Sequence, residues 1–485
     1  MQAVLNFIYD NILSIAMMVM LIAAGIFLSY KTGLLQFRRF GYMMKNTAGS
    51  LFDKNLHSKD KTSVSPFQAV TTALAGTIGT GSIAGLATAL VAGGPGAVFW
   101  MWISALLGMV TKYSEIVLSI KYREKNESGA WVGGPMYYIK NGLGIKWLAA
   151  LFAIFAMIAC LGTGNATQSN SISTVIHDTF GVEVWITGII LTVIVGAVIL
   201  GGVKRIASVN EKLVPVMAIF FVLSAIIALI FNVDKIPAAF ALIFKEAFNF
   251  KAAFGGVAGY GVVYAMRFGI GRGVFSNEAG LGSAPIAHAA SSTKDPVKQG
   301  FWGMFEVFIT TIVICTLSAL VVLTSDVYLN AFNAIGENVD KVVILDSVGN
   351  EINGASLSSA AFGEAIPGIG QFGVAIATVF FALSTILGWA YYGEVCASYL
   401  FKKHSKAAVW AYRCVYVAFV LIGSLANLGL IWSIADIMNA LMAVPNLIGI
   451  IGLYKVVKNA TKEHFAKKAE PTIESTVEAT NTEIN

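Results

Sequence analysis

The sequence predicts an all-α polytopic membrane protein of about eleven transmembrane helices. One accessory N-terminal helix would precede two inverted five-helix repeats, each with a broken first helix. Three observations carry this prediction. The 485 residues are 56% hydrophobic and 12% charged, with a mean hydropathy of +0.73, outside the range of soluble globular chains. Apolar runs of about twenty residues, the length that spans a hydrocarbon layer as a helix, recur along the whole chain. Two of these runs are interrupted by glycine at corresponding places in the two halves, a pattern that points to the binding site of a secondary transporter.

In chain order the runs lie at 11–30, 66–92, 96–120, 147–175, 184–202, 211–231, 256–290, 299–325, 367–400, 407–427 and 431–457. No positive charge precedes the first run and Lys31, Arg38 and Arg39 follow it, so residues 1–30 read as an uncleaved accessory helix and not as a signal peptide. Residues 66–231 supply the first repeat and 256–457 the second. The polar, acidic stretch 326–366 is expected to be an extracellular loop. Residues 459–485, rich in Lys, Glu, Thr and Asn, are expected to be a disordered cytoplasmic tail.

Lysine and arginine set the orientation, because cytoplasmic loops carry their excess. Alternate connections hold 26 of the 33 basic residues, the opposite set holds only Lys235, Lys245, Lys251 and Lys341, and Lys112, Arg267 and Arg272 fall inside runs. The N-terminus is therefore expected outside and the C-terminus inside a prokaryotic cytoplasmic (inner) membrane. The net charge of +6 follows from this asymmetry, as a basic face against anionic lipid, and does not argue for nucleic acid. Cys160, Cys315, Cys396 and Cys414 show no metal-ligand spacing and read as packing residues.

The first interrupted run carries GTIGTGSIAG, from Gly76. Each glycine inside a helix costs roughly 1 kcal/mol relative to alanine, and backbone that leaves the helix within lipid needs new partners. A dinucleotide fingerprint is excluded by context, since no strand precedes GTGSIA and the next acid is Glu115. Close packing through small residues is the structural alternative. A break here would free N–H groups at Thr80, Gly81 and Ser82, which suit a carboxylate, and carbonyls near Ala75, Thr77 and Ile78, which suit a small cation or an ammonium. The second interrupted run carries FGIGRGVFSNEAGLGSAPIAH, with carbonyls near Val274 and Phe275 and the polar cluster Ser276, Asn277 and Glu278. Acceptors and donors in one cavity would have the shape of a zwitterionic amino-acid site.

The stretches GTIGTGSIAG, GGPGAVFWMWISALLG at 93–108, GGPMYYI at 133–139 and SNEAGLGSAPIAHAAS at 276–291 resemble the alanine or glycine:cation symporter family, over nearly the whole chain. The resemblance implies the inverted-repeat architecture of the bacterial leucine transporter and sodium-coupled import of alanine or glycine. Sodium is implied as the co-transported cation, with no other cofactor. It further implies a sodium cage made by Ser384 and Thr385 with the carbonyls of Phe381, Ala75 and Ile78, oxygen ligands that a hard cation prefers. On the residues alone, Ser384 and Thr385 could equally be back-bonded helix hydroxyls. Where the family pattern has asparagine after GTG, this chain has Ser82, whose hydroxyl offers one heteroatom fewer to a cation or carboxylate.

Substrate contacts are expected from Thr77, Gly79, Thr80, Gly81, Phe275 and Asn277 at the breaks. From GTGNATQSNSIS come Asn165, Gln168 and Asn170, costly in lipid and so expected to face the bundle interior, with Gln168 the preferred ligand. Trp389, one turn after Thr385, and Phe275 are expected to close the pocket against large side chains. Among intramembrane charges, Glu278 is expected to cap the second half of its broken helix, Lys112 and Glu115 to pair at i, i+3, and Arg272 to line an outer vestibule or gate. Proton coupling through Glu278 is the alternative within transporters, and an amino-acid-permeable channel is the alternative of another class. An enzyme is not expected, since His57, His177, His288, His404 and His464 form no catalytic constellation. The expected partners are alanine or glycine, sodium and the lipid bilayer, and the chain is expected to work as a monomer.

Overall fold

A computed structural model describes residues 12–51, 53, 64–249, 260–334, 343–345, 349, 351–426 and 428–469. Its long helices, in chain order, are α1 (Ser14–Thr32), α2 (Pro66–Thr77), α3 (Ala84–Gly93), α4 (Gly96–Tyr122), α5 (Lys146–Phe180), α6 (Val184–Ile199) and α7 (Gly202–Ile230). The second half adds α8 (Tyr260–Asn277), the short α9 (Ala284–Ala289), α10 (Pro296–Leu323), α11 (Gly370–Leu400), α12 (Ser405–Leu425), α13 (Leu428–Gly452) and α14 (Tyr454–Ala469). Among the described residues eight helices are long and apolar enough to cross a membrane, or nine if α2 and the segment Thr80–Gly93, bent by 54° at the break between them, count as one span. The expected run at 184–202 is the 16-residue apolar helix α6. The run at 256–290 is α8, a turn and α9, with 256–259 outside the described residues.

The helix ends follow local chemistry. Ser65 caps α2 in a reciprocal capping box with Gln68, and Pro66 occupies the first helical position, where its missing N–H costs nothing. Asp295 accepts from Val297 N and Lys298 N ahead of Pro296 and so starts α10. Gly33 ends α1 in the left-handed region at φ 72°.

Packing sorts the helices into a centre and a periphery. α4 lies against α8 and α10, and α11 lies against α2, α5, α7 and α12. The apolar window of α4 is 83% buried in protein, against 28% for the span that contains α12 and 33% for α7. Exposed Ile189, Val193, Val216, Ile219 and Leu223 on α6 and α7 then face the hydrocarbon.

One expectation of irregular structure is corrected. Residues 454–469 form helix α14, although the composition from 459 onward suggested disorder; 470–485 lie outside the described residues. The Lys and Glu of this stretch hide a helical stripe of Val457, Ala460 and Thr461, which is buried. Within the expected loop 326–366, Asp326–Ala334 and Gly354–Ala365 are helical, and the latter packs on α3 and α11.

Candidate binding site at the two helix breaks

The first break follows the glycines closely. α2 ends at Thr77, Ile78 leaves the helix at φ −82° and ψ 69°, Gly79 is extended, and Thr80–Ser82 makes one 3-10 turn before α3. Glycine at 79 lets the break touch α11, since a Cβ there would stand 2.5 Å from Thr385 Oγ1.

That approach gathers four oxygens. Thr385 Oγ1 donates to the carbonyls of Ala75 and Phe381, each at 2.9 Å. Ser384 Oγ donates to Phe381 O at 2.8 Å and lies 3.5 Å from Ala75 O. The bonds to Phe381 are the helix back-bonds that the residues alone allowed, and the same hydroxyls also reach across to α2. Four of the five expected cation ligands therefore meet. Ile78, the fifth, is fully buried at the C-cap of α2. An all-oxygen cluster of neutral groups suits a hard monovalent cation.

On the other side of the break, Thr80 Oγ1 donates to Gln168 Oε1 at 2.9 Å and Thr80 N reaches the same oxygen at 3.4 Å. Gln168 Nε2 donates to Thr163 O at 3.0 Å, within a π-helical turn over Gly162–Ala166 that interrupts α5. Such bulges re-aim side chains at functional positions. Asn165, in the same turn, points elsewhere and donates to Tyr416 O on α12 at 2.6 Å. Thr77 also turns away, donating back to Ala73 O at 3.1 Å.

The second break runs from Glu278 to Ser283, with φ of 57° at Glu278, 91° at Gly280 and 83° at Gly282. Ser82 Oγ lies 3.0 Å from Ser276 Oγ, and Ser276 Oγ lies 3.2 Å from Cys315 Sγ, so a chain of small polar groups stitches the two breaks to α10. The ring of Phe275 lies against Gly81, where a Cβ would come within 2.8 Å of it. Arg272 holds its guanidinium 5.8 Å from the centre of that ring. Asn277 stands at the break with its side chain engaged, donating to Thr311 Oγ1 at 3.1 Å and accepting from Ala279 N at 2.9 Å.

Several charges find partners that spacing along a helix does not reveal. Lys112 does not pair with Glu115; its ammonium donates to Asn277 O at 2.8 Å and meets Glu306 Oε2 at 3.1 Å. Glu306 Oε1 in turn lies 2.6 Å from His288 Nε2. Glu115 instead accepts from Gly280 N at 3.0 Å and from Asn446. Glu278 reaches α9 indirectly, through the hydroxyl of its N-cap residue Ser283, and accepts from Trp389 Nε1 at 2.8 Å. Trp389, 1% exposed, thus ties α11 to the second break. Lys112, His288 and Glu306 were missed as one cluster, and their signal was the presence of ionisable groups in apolar runs.

Known proteins resemble this chain along nearly its whole length. A family model described as the sodium:alanine symporter family matches residues 1–478. An uncharacterised transporter of Haemophilus influenzae is 44% identical over 468 residues, 96% of either chain. A sodium/alanine symporter of Methanococcus maripaludis is 44% identical over 450 residues, 92% of this chain and 93% of its own. The solved structure of MhsT in complex with L-phenylalanine superposes with a TM-score of 0.57 at 14% identity, over 81% of this chain and 90% of that one, which shows a leucine-transporter-like fold. The chain belongs to the sodium:alanine symporter family and is a sodium-coupled secondary transporter of small neutral amino acids, not an enzyme.

Proposed function

We propose that this transporter imports alanine or glycine together with sodium, and that both bind at the break between α2 and α3. The observation that carries the reading is the meeting of Ser384, Thr385, Ala75 O and Phe381 O. With Ile78 they form the cation cage. Beside it, the Gly81 N–H takes the substrate carboxylate, joined by the Thr80 N–H where the carboxylate displaces Gln168 Oε1, while Ser82 N stays bonded to Gly79 O at 3.2 Å. Gln168 holds Thr80 in place for that task, and Phe275 over Gly81 limits the room for a side chain. Asn277 fixes the geometry of the second break behind the substrate.

The scaffold is read as an accessory α1 and two five-helix repeats of opposite topology, eleven spans in all. α2 with α3 opens one repeat and α8 with α9 opens the other. The basic connections place the N-terminus outside and the C-terminus in the cytoplasm. The protein is read as acting as a monomer.

Proton coupling through Glu278 is less well supported, since both its oxygens already accept from fixed donors, Ser283 and Trp389. The test is uptake of labelled alanine and glycine into proteoliposomes with and without an inward sodium gradient. Uptake requires sodium, and Thr385→Ala, which removes one cage oxygen, raises the sodium concentration for half-maximal uptake without a matching loss of protein. Equal uptake driven by a proton gradient in sodium-free buffer would overturn the reading.

A further inference from the structure

Where α1 ends beside the middle of α14, a hollow of about 520 Å³ opens, within the size range of small-molecule sites. Lys31, Arg38, Arg39, Lys458 and Lys462 line it, and none of its lining residues is acidic. The chain is built to bring these cations together. Gly33 at φ 72° turns α1 into the short helix Leu35–Arg38, and Arg38 returns to within 3.3 Å of the place a Gly33 Cβ would fill. Aromatic rings hold two of the cations: Arg39 lies 4.2 Å from the ring centre of Phe465, and Lys31 lies 5.5 Å from that of Phe27 and 5.6 Å from that of Tyr454. Rings neutralise no charge, so among the described lining residues no acid offsets these cations.

A second feature distinguishes the ligand class. Tyr30, Leu34 and Phe37 are 76%, 50% and 56% exposed at the same turn, and Ile26, also 56% exposed, continues the apolar surface along α1. A soluble anion needs only the cations. A phospholipid needs cations for its phosphate and an apolar track for its chains, at the end of a membrane-spanning helix.

We propose that this hollow binds the headgroup of an anionic phospholipid, whose acyl chains lie along α1. The lipid bridges α1 to α14, which meet at few other points, among them the edge-to-face pair of Phe27 and Tyr454.

The test is native mass spectrometry of the full chain in detergent, titrated with dioleoylphosphatidylglycerol, dioleoylphosphatidylcholine or glycerol phosphate. Phosphatidylglycerol is retained more tightly than phosphatidylcholine. At about fivefold per basic residue, Lys462→Gln weakens its binding roughly fivefold and R38Q/K462Q roughly 25-fold, with phosphatidylcholine unchanged. The charge-keeping R38K/K462R retains the affinity, which separates loss of charge from misfolding. Phe37→Ser, which shortens the apolar track, weakens phosphatidylglycerol binding. Equal retention of the two lipids, or wild-type affinity in R38Q/K462Q, overturns the site; competition by glycerol phosphate at equal concentration overturns the lipid and leaves a free-anion site. The assay reads no transport and no membrane sidedness, so its failure leaves the alanine reading standing.

Discussion

A single donor, the indole N–H of Trp389, reaches the second break at Glu278 Oε1, 2.8 Å away. Glu278 adopts φ 57°, a region that costs a side-chain-bearing residue on the order of 1–3 kcal/mol, and its carboxyl group is buried beneath the indole N–H. Trp389→Phe keeps an aromatic ring and removes that donor, and a buried acceptor left short of a partner costs about 1–3 kcal/mol. The expected outcome is a lower Tm with uptake of glycine, alanine and serine falling in parallel. Phe275→Ala, by contrast, should change the ranking and admit valine, since one or two methylenes discriminate by only about 1–3 kcal/mol and steric exclusion supplies the rest. Competition by glycine, alanine, serine, valine and leucine on both variants decides the matter, and a stable Trp389→Phe protein that admits valine returns the size filter to Trp389. The resemblance singled out Ser384 and Thr385; on the residues alone their hydroxyls could equally be helix back-bonds, and both do bond back to Phe381 O. The partner of Trp389 was not legible, because Glu278 lies 111 residues away and meets it only after α8 breaks.

Broken helices are legible because glycine leaves a compositional mark; regular helices held by tertiary contacts leave a fainter one. α14 shows the second case. His464 on it accepts or donates to Tyr42 at 2.8 Å and lies 3.1 Å from Asp295, the N-cap of α10. Partial burial pushes the Asp295 carboxyl up, but His464 and the N–H groups of Lys298 and Val297 outweigh it and hold the group below the usual carboxylate range. A depressed value stabilises the folded state above the ordinary aspartate value of about 3.9, and that contribution is lost as pH falls through the lower folded value. Hydrogen exchange over 454–469, corrected for intrinsic rates, should therefore show steady protection at neutral pH and a loss below about pH 4. Asp295→Asn keeps a competent cap and removes the charge, so it should loosen α14 at neutral pH and flatten the acid response. Unchanged protection in that variant would mean that the apolar stripe alone docks the helix. Lys112 teaches the same lesson about elements: i, i+3 spacing suggested Glu115, and packing of α4 between α8 and α10 supplied Asn277 O and Glu306 instead.

Over the whole molecule, hydropathy sufficed to read a polytopic helical membrane protein, since a bilayer leaves few ways to satisfy a backbone, and the resemblance supplied the leucine-transporter-like fold. The arrangement of the helices depends on contacts between α4, α8, α10 and α11 that no periodicity records. Those contacts also bear on the charge that crosses the membrane. Lys112 is matched by Glu306 and Arg413 by Glu394, the latter through two contacts of 2.8 Å, so these charges stay with the protein in partnered form. Alanine and glycine are zwitterions, and one sodium carried with either adds one positive charge to the cargo. At about 2.3 kcal/mol per charge per 100 mV, an inside-negative potential of that size should support roughly fifty-fold accumulation without any sodium gradient. The measurement is alanine uptake into proteoliposomes with equal sodium on both sides and a potassium diffusion potential set by valinomycin. Uptake should rise when the interior is made negative and fall when the potential is reversed. Indifference to the potential would mean that a counter-moving charge balances the sodium, and the one-sodium, one-zwitterion cycle would have to be given up.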